Sequence, residues 1–121
     1  MLADSRLSAA LPVVDLERAM KFYEEKLGLR AGDAPGGVMF QCGLGSQLVL
    51  YHRDSLSKAD HTAAGWEIED VEKVVNDLRE KGVVFEQYEM TDEQGIANMD
   101  GVKGAWFKDS EGNILSVVQF E

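Results

Sequence analysis

Two segments of the chain carry the same helical pattern. The first begins at Asp15 and ends at Gly28, and its apolar residues recur at the spacing of one helix face. The second begins at Asp70 and ends at Gly82, with a matching apolar stripe. Each aspartate is a good N-cap, and each glycine suits the left-handed conformation that ends a helix. The aspartates lie 55 positions apart in 121 residues, which indicates an internal duplication with helices near 15–27 and 70–81.

Short segments with strand patterns surround both predicted helices. In the first half, apolar residues recur with a period of two over 7–13, which predicts a strand. Residues 32–37 contain glycine and proline and predict an interruption between regular elements. Residues 38–42 and 47–52 predict a hairpin around Gly43-Leu44-Gly45. In the second half, the predicted strands are 61–69, 83–90, 105–108 and 114–120. Residues 91–104 are polar and contain glycine, so they predict a loop. We therefore predict one α+β domain over 1–121, built from two βαβββ modules at about 5–54 and 60–121.

The period-two pattern also predicts which residues share a face of each sheet. The helices should cover an apolar face that carries Leu7, Ala9, Leu11, Val13, Leu48, Leu50, Trp66, Ile68, Leu115 and Val117. The opposite face should carry Ser8, Ala10, Gln47, Val49, Tyr51, His61, Ala63, Gly65, Glu67, Ile114, Ser116 and Val118. Mixed polar and apolar residues on that second face are typical of a small-molecule pocket.

Charge and cysteine content exclude several classes of partner. The net charge of −10 repels phosphate backbones and anionic lipid surfaces, so we expect neither nucleic acid nor a membrane as a partner. The same charge favours a cationic ligand, although an acidic surface also serves solubility alone. Cys42 is the only cysteine, which rules out an intramolecular disulfide. With no signal sequence and no membrane-length apolar run, we expect a cytoplasmic protein.

Two stretches carry a resemblance to a known family. Residues 11–28 read LPVVDLERAMKFYEEKLG and residues 106–113 read WFKDSEGN. Together with the duplication, they resemble the vicinal oxygen chelate superfamily, which includes glyoxalases, bleomycin-resistance proteins, extradiol dioxygenases and fosfomycin-resistance enzymes. The resemblance implies the glyoxalase/bleomycin-resistance-like fold, in which each module forms a half-open curved sheet. It also implies a homodimer, because many small members complete their cavities between two chains.

The resemblance further implies where a metal would sit. Enzymes of the superfamily hold a divalent metal with side chains of the first and last strands of both halves, and the matching positions here are Ser8, Val49, Ala63 and Ser116. Valine and alanine cannot bind a metal, and serine hydroxyls are poor ligands. His61 and Gln47 are the nearest substitutes, and they are too few for a stable centre. We therefore expect no metal and no other cofactor.

Two functions remain open at this stage. The first is a metal-free protein that binds or sequesters a cationic or aromatic compound, as the resemblance to bleomycin-resistance proteins implies. The alternative is a lyase, isomerase or oxygenase that uses His61, Glu67 or Tyr51 as acid or base, with or without a non-standard metal. The missing metal ligands and the net charge favour the first of these functions, a metal-free binding protein. The expected ligand-binding residues are Ser8, Gln47, Val49, Tyr51, His61, Ala63, Glu67, Trp106 and Ser116.

Three of the candidate residues also have a simpler interpretation. Tyr51 could pack at a dimer interface, His61 could be an exposed residue at a strand end, and Trp106 could belong to the core.

Overall fold

The computed structural model consists of two modules, each with its own four-stranded sheet. It describes residues 1–34 and 37–120, without the side chains of residues 33 and 34. The first module contains β1 (Ser8–Val13), α1 (Leu16–Lys21), β2 (Ala31–Ala34), β3 (Gly37–Gln41) and β4 (Gln47–His52). The second contains β5 (Thr62–Glu67), α2 (Val71–Glu80), β6 (Ile96–Met99), β7 (Val102–Lys108) and β8 (Ile114–Phe120). The predicted α+β class and the βαβββ repeat are confirmed.

The two sheets have the same topology. Their strand orders are β1-β4-β3-β2 and β5-β8-β7-β6, with the first and last strands of each module parallel and the remaining pairs antiparallel. A parallel pair needs a crossover connection, and the helix of each module begins that connection. None of the helices in the described part of the chain is long and apolar enough to cross a membrane.

Both helices begin where the sequence predicts. The Asp15 carboxylate accepts a hydrogen bond from the Arg18 amide at 3.0 Å, and the Asp70 carboxylate accepts one from the Lys73 amide at 3.2 Å. These bonds satisfy first-turn amides that have no partner within the helix. Beyond α1, a π-helical turn at Phe22–Lys26 continues the segment towards Gly28, whose φ of 74° is left-handed.

Three details of the predicted strands are wrong. The predicted strand 83–90 forms only an isolated bridge between Phe85 and Phe107. The predicted loop 91–104 contains all of β6 and the beginning of β7. Residues 32–37 are predicted to interrupt the regular elements, but 32–34 belong to β2 and residue 37 begins β3. Residues 35 and 36 lie outside the described residues. These short segments lack a strong strand pattern of their own, and it is pairing with a neighbouring strand that makes β2 and β6 extended.

One core joins the two modules. The helix-covered faces of both sheets contribute to it, and the predicted residues Leu11, Val13, Leu48, Leu50, Leu115 and Val117 are all buried. Trp66 and Ile68 pack at its margin. Leu7 is the exception: it precedes β1 and is 89% exposed. Each sheet turns its other face, here called the outer face, away from this core, and the predicted binding residues lie mainly on the outer faces.

Candidate functional site

The two family-like stretches meet in a buried contact between the modules. The Glu111 carboxylate accepts hydrogen bonds from the Val14 and Asp15 amides at 3.0 Å, and Arg18 donates to it at 2.7 and 3.0 Å. Burial alone would raise the pKa of Glu111. The hydrogen bonds from Arg18, from the two amides and from the Ser110 hydroxyl outweigh it and lower that pKa to about 2. Glu111 is therefore ionised in the folded protein at neutral pH.

A second set of bonds fixes the same turn. The Asp109 carboxylate accepts from the Tyr23 hydroxyl at 2.6 Å and from the Asn113 side-chain amide at 2.8 Å. That Asn113 amide also donates to the Pro12 carbonyl at 2.9 Å. Burial, followed by the neighbouring Asp109 charge, raises the pKa of Tyr23. All these side chains are buried, so the residues that carry the family resemblance hold the β7–β8 turn against the first module.

The first group of predicted binding residues lies on the outer face of the first sheet. The Ser8 hydroxyl donates to the Gln47 side-chain oxygen at 3.1 Å, as expected for directly paired residues. Val49 pairs with Ala10 on one side and Met39 on the other, which makes the centre of this face apolar. Tyr51 lies further along and is 38% exposed.

The second group lies on the outer face of the second sheet and centres on Trp106. Trp106 pairs with Ser116, and its indole N–H donates to the Thr62 hydroxyl at 3.1 Å. The Tyr88 ring meets the indole edge-on, with ring centroids 5.7 Å apart. Trp106 is therefore a fixed and half-exposed outer-face residue, and the alternative of a core tryptophan is wrong. Glu67 is exposed on this sheet beside Val118.

A bulge in β5 changes the predicted alternation. Thr62 pairs with Ile114, but Ala64 pairs with Leu115, so the register shifts between them. The bulge interrupts the alternation that was used to assign His61, Ala63 and Glu67 to one face, and Thr62 occupies the outer-face position next to Trp106. Sequence reasoning missed Thr62 and Tyr88, because a bulge leaves no signal in a period-two pattern.

The structure does not bring the proposed acid and base residues together. His61 precedes the first residue of β5 and Glu67 is its last, which separates them by about 20 Å along an extended strand. Tyr51 belongs to the other sheet. His61 is exposed, and its Nδ1 lies 3.2 Å from the Thr62 carbonyl oxygen. No hydrogen bond joins any two of these three residues, so each would have to act as an acid or base without the other two.

The positions that match the family's metal ligands do not fit a divalent metal. Ser8 faces Gln47, Ser116 faces Trp106, and Val49 and Ala63 have no donor atom. Among the side chains that the structure describes, those of residues 1–32 and 37–120, no three of His, Cys, Asp or Glu are close enough to share an ion. Hydroxyls and a single amide compete poorly with water for Zn²⁺ or Mg²⁺.

The duplicated fold and its open outer faces define a class of small βαβββ proteins. The chain belongs to the Glyoxalase/Bleomycin resistance protein/Dioxygenase superfamily, whose family model matches residues 6–117. Among curated proteins, none is significantly similar to the chain in sequence.

Several solved structures share the fold over nearly their whole length. UcmS2 superposes with a TM-score of 0.76 at 22% identity, covering 94% of this chain and 97% of that one. TnmS3, an antibiotic binding protein from Streptomyces sp. CB03234, has a TM-score of 0.71 at 22% identity, covering 100% and 99%. Lactoylglutathione lyase from Agrobacterium tumefaciens has a TM-score of 0.71 at 21% identity, covering 96% and 93%. At these identities the likeness shows the fold alone.

Proposed function

We propose that this protein is a metal-free binder of a small aromatic or cationic compound, held on the outer face of the second sheet. The observation that carries the proposal is the fixed indole of Trp106, half-exposed on an open sheet face that also bears the Glu67 carboxylate. The antibiotic-binding function of TnmS3 agrees with this proposal.

The sheet register places the indole and the carboxylate within reach of one ligand. Glu67 pairs with Val118, and Val118 pairs with Gly104 on the next strand. Gly104 has no side chain, and a Cβ built there would lie 3.6 Å from the Trp106 ring, so the indole covers it. Two strand spacings separate Glu67 from Gly104, about 10 Å. A drug-sized compound spans that distance.

The expected contributions differ between the two groups. A cation over the face of a tryptophan gains about 0.5–2 kcal/mol, and stacking of a neutral ring needs no charge at all. Glu67 is exposed, so its attraction for a cation is screened by water and salt. Trp106 should therefore supply most of the affinity, and Glu67 should supply the preference for cations.

We also infer a homodimer located in the cytoplasm. The outer faces leave Tyr51 and Phe120 exposed at 38% and 58%, and a second chain would cover such apolar area. The first-sheet residues Ser8, Gln47, Val49 and Tyr51 would then complete the pocket from the partner. Cys42 is a free thiol, which agrees with a reducing compartment.

The test is a thermal-shift screen of cationic and neutral aromatic compounds, followed by titration calorimetry on variants. Trp106→Ala should weaken every hit by about tenfold, which corresponds to the loss of one aromatic contact. Glu67→Gln should weaken a cationic hit about threefold and leave a neutral hit unchanged. Glu69→Gln, an equally exposed neighbour beyond β5, is the matched control. Unchanged affinity in both Trp106→Ala and Glu67→Gln would place the ligand elsewhere.

A further inference from the structure

A pocket of about 530 Å³ lies between the modules, where β1 approaches the beginning of β5. Its polar lining combines Arg53, Lys58 and His61 with the hydroxyls of Ser55, Ser57 and Thr62. None of the residues that line it is acidic. In a chain with a net charge of −10, this pocket is a local concentration of positive charge, and the binding function proposed for Trp106 and Glu67 does not involve it.

The segment that forms the pocket wall is attached to both modules. The Arg53 amide donates to the Val13 carbonyl at 2.8 Å, which fixes the segment's first residue beside β1. Further along, Ser57 is half-buried, and its carbonyl oxygen would lie 3.3 Å from a Cβ at Gly112 in the β7–β8 turn. The cationic side chains therefore project from a segment that is hydrogen-bonded to the first module at Arg53 and lies close to the second module at Ser57.

The positive groups of the pocket have no acidic partner within it. Neither Arg53 nor Lys58 forms an ion pair among the described residues. Asp54 and Asp60 belong to the same segment but do not line the pocket. The His61 Nδ1 lies 3.2 Å from the Thr62 carbonyl oxygen, and Nε2 is the other ring nitrogen through which His61 can contact a ligand.

We propose that this pocket binds a small organic oxyanion, a carboxylate or a phosphate monoester. A guanidinium offers two parallel donors that match an oxyanion, and the Lys58 ammonium, the His61 ring and the hydroxyls complete its coordination. The volume suits a small molecule larger than a bare ion. Because the net charge repels anions at long range, an anion that binds here is held by local contacts.

The experiment is a titration of ¹⁵N-labelled protein with inorganic phosphate and, separately, with acetate, with sodium chloride keeping the ionic strength constant. Saturable amide shifts are expected at residues 53–62, and the tighter of the two anions identifies the class. The Arg53→Gln/Lys58→Gln variant should bind at least about fivefold more weakly. The Lys21→Gln/Arg30→Gln variant removes the same charges from exposed positions elsewhere, and its affinity should stay within about twofold.

Independent variants separate this site from the one proposed above. Glu67→Gln should weaken binding of a cationic ligand on the second sheet and leave anion binding unchanged, whereas Arg53→Gln/Lys58→Gln should do the reverse, so either site can fail alone. His61→Asn provides a single substitution in case the double variant does not fold, and it should also weaken binding. Absence of saturable shifts with either anion, or equal weakening in the control variant, would overturn the proposal.

Discussion

Replacing Glu111 with glutamine removes the charge at the centre of the contact between the modules and keeps the side chain's shape. A fall in pKa from 4.5 to about 2 corresponds to about 3 kcal/mol of stability at neutral pH. The Glu111 side chain is completely buried, but that of Arg18 is 50% exposed, and solvent screening reduces the expected loss to about 2 kcal/mol. The new amide would also direct a donor towards Arg18 or Ser110. Urea unfolding should show this loss, and the melting temperature should fall by about 10 °C.

The pH dependence of this difference gives a second test. Because the pKa of Glu111 is lower in the folded than in the unfolded state, its stabilisation is fully present above about pH 4.5. The stabilisation is lost as the pH falls from there towards about 2. The free energies of unfolding of the wild type and of Glu111→Gln should therefore differ most at neutral pH and become equal in acid. Taking the difference between the two free energies at each pH removes the contribution of the other carboxylates, which both proteins share.

A matched control is Glu89→Gln, which removes the same charge from an exposed position and should change stability by less than about 0.5 kcal/mol. A Glu111→Gln effect as small as that of the control would refute the reasoning. A difference that stays constant from neutral pH to pH 3 would also refute it, because the effect would then come from altered packing and not from the charge.

Three further predictions follow from the same structure. Tyr23→Phe removes the donor at 2.6 Å from the buried Asp109 and should cost about 1–2 kcal/mol in urea unfolding, whereas the exposed Tyr51→Phe should be neutral. Light scattering at micromolar concentration should report twice the 13.4 kDa chain mass, and a clean monomer would contradict the homodimer. Elemental analysis after dialysis should find substoichiometric metal, and a chelator should leave the melting temperature unchanged; one tightly held ion, lost in His61→Ala, would contradict the metal-free proposal.

The helices and the strands at the core are predictable because local and tertiary signals agree there. Asp15 and Asp70 cap their helices as expected, and the alternation of β1 and β4 matches their buried faces. In these segments hydrophobic burial selects the same structure as the intrinsic pattern does. The class of fold follows from the sequence for this reason.

β6 and the β5 bulge are not predictable in this way. Ile96–Met99 contains alanine and asparagine and has no alternation of its own, and pairing with β7 makes it a strand. The bulge between Thr62 and Ala64 arises from the register between β5 and β8, which is a long-range property. The first error put a loop in place of a strand, and the second hid the outer-face position of Thr62.

The family resemblance identifies the fold and not the chemistry, and the structure gives the physical reason. Glu111 reaches Arg18 and the amides that precede α1, and Asp109 reaches Tyr23. These interactions need fixed residue types at fixed positions, whatever ligand the outer faces bind. In the binding function proposed here, Trp106 and Glu67 would select the ligand, and neither residue takes part in that contact.

The Thr62–Trp106 hydrogen bond provides the sharpest test of the bulge and of the binding face together. Thr62→Val keeps the shape but removes the acceptor for the indole N–H at 3.1 Å. Because Trp106 is half-exposed, water can replace the bond, and stability should fall by less than about 1 kcal/mol. The indole should become more mobile, which time-resolved fluorescence anisotropy in a Trp66→Phe background would detect. Thr62→Ser keeps the hydroxyl and should restore wild-type anisotropy. If Thr62→Val leaves the indole as rigid as before, Thr62 does not position it, and the ligand face would need another origin for its rigidity.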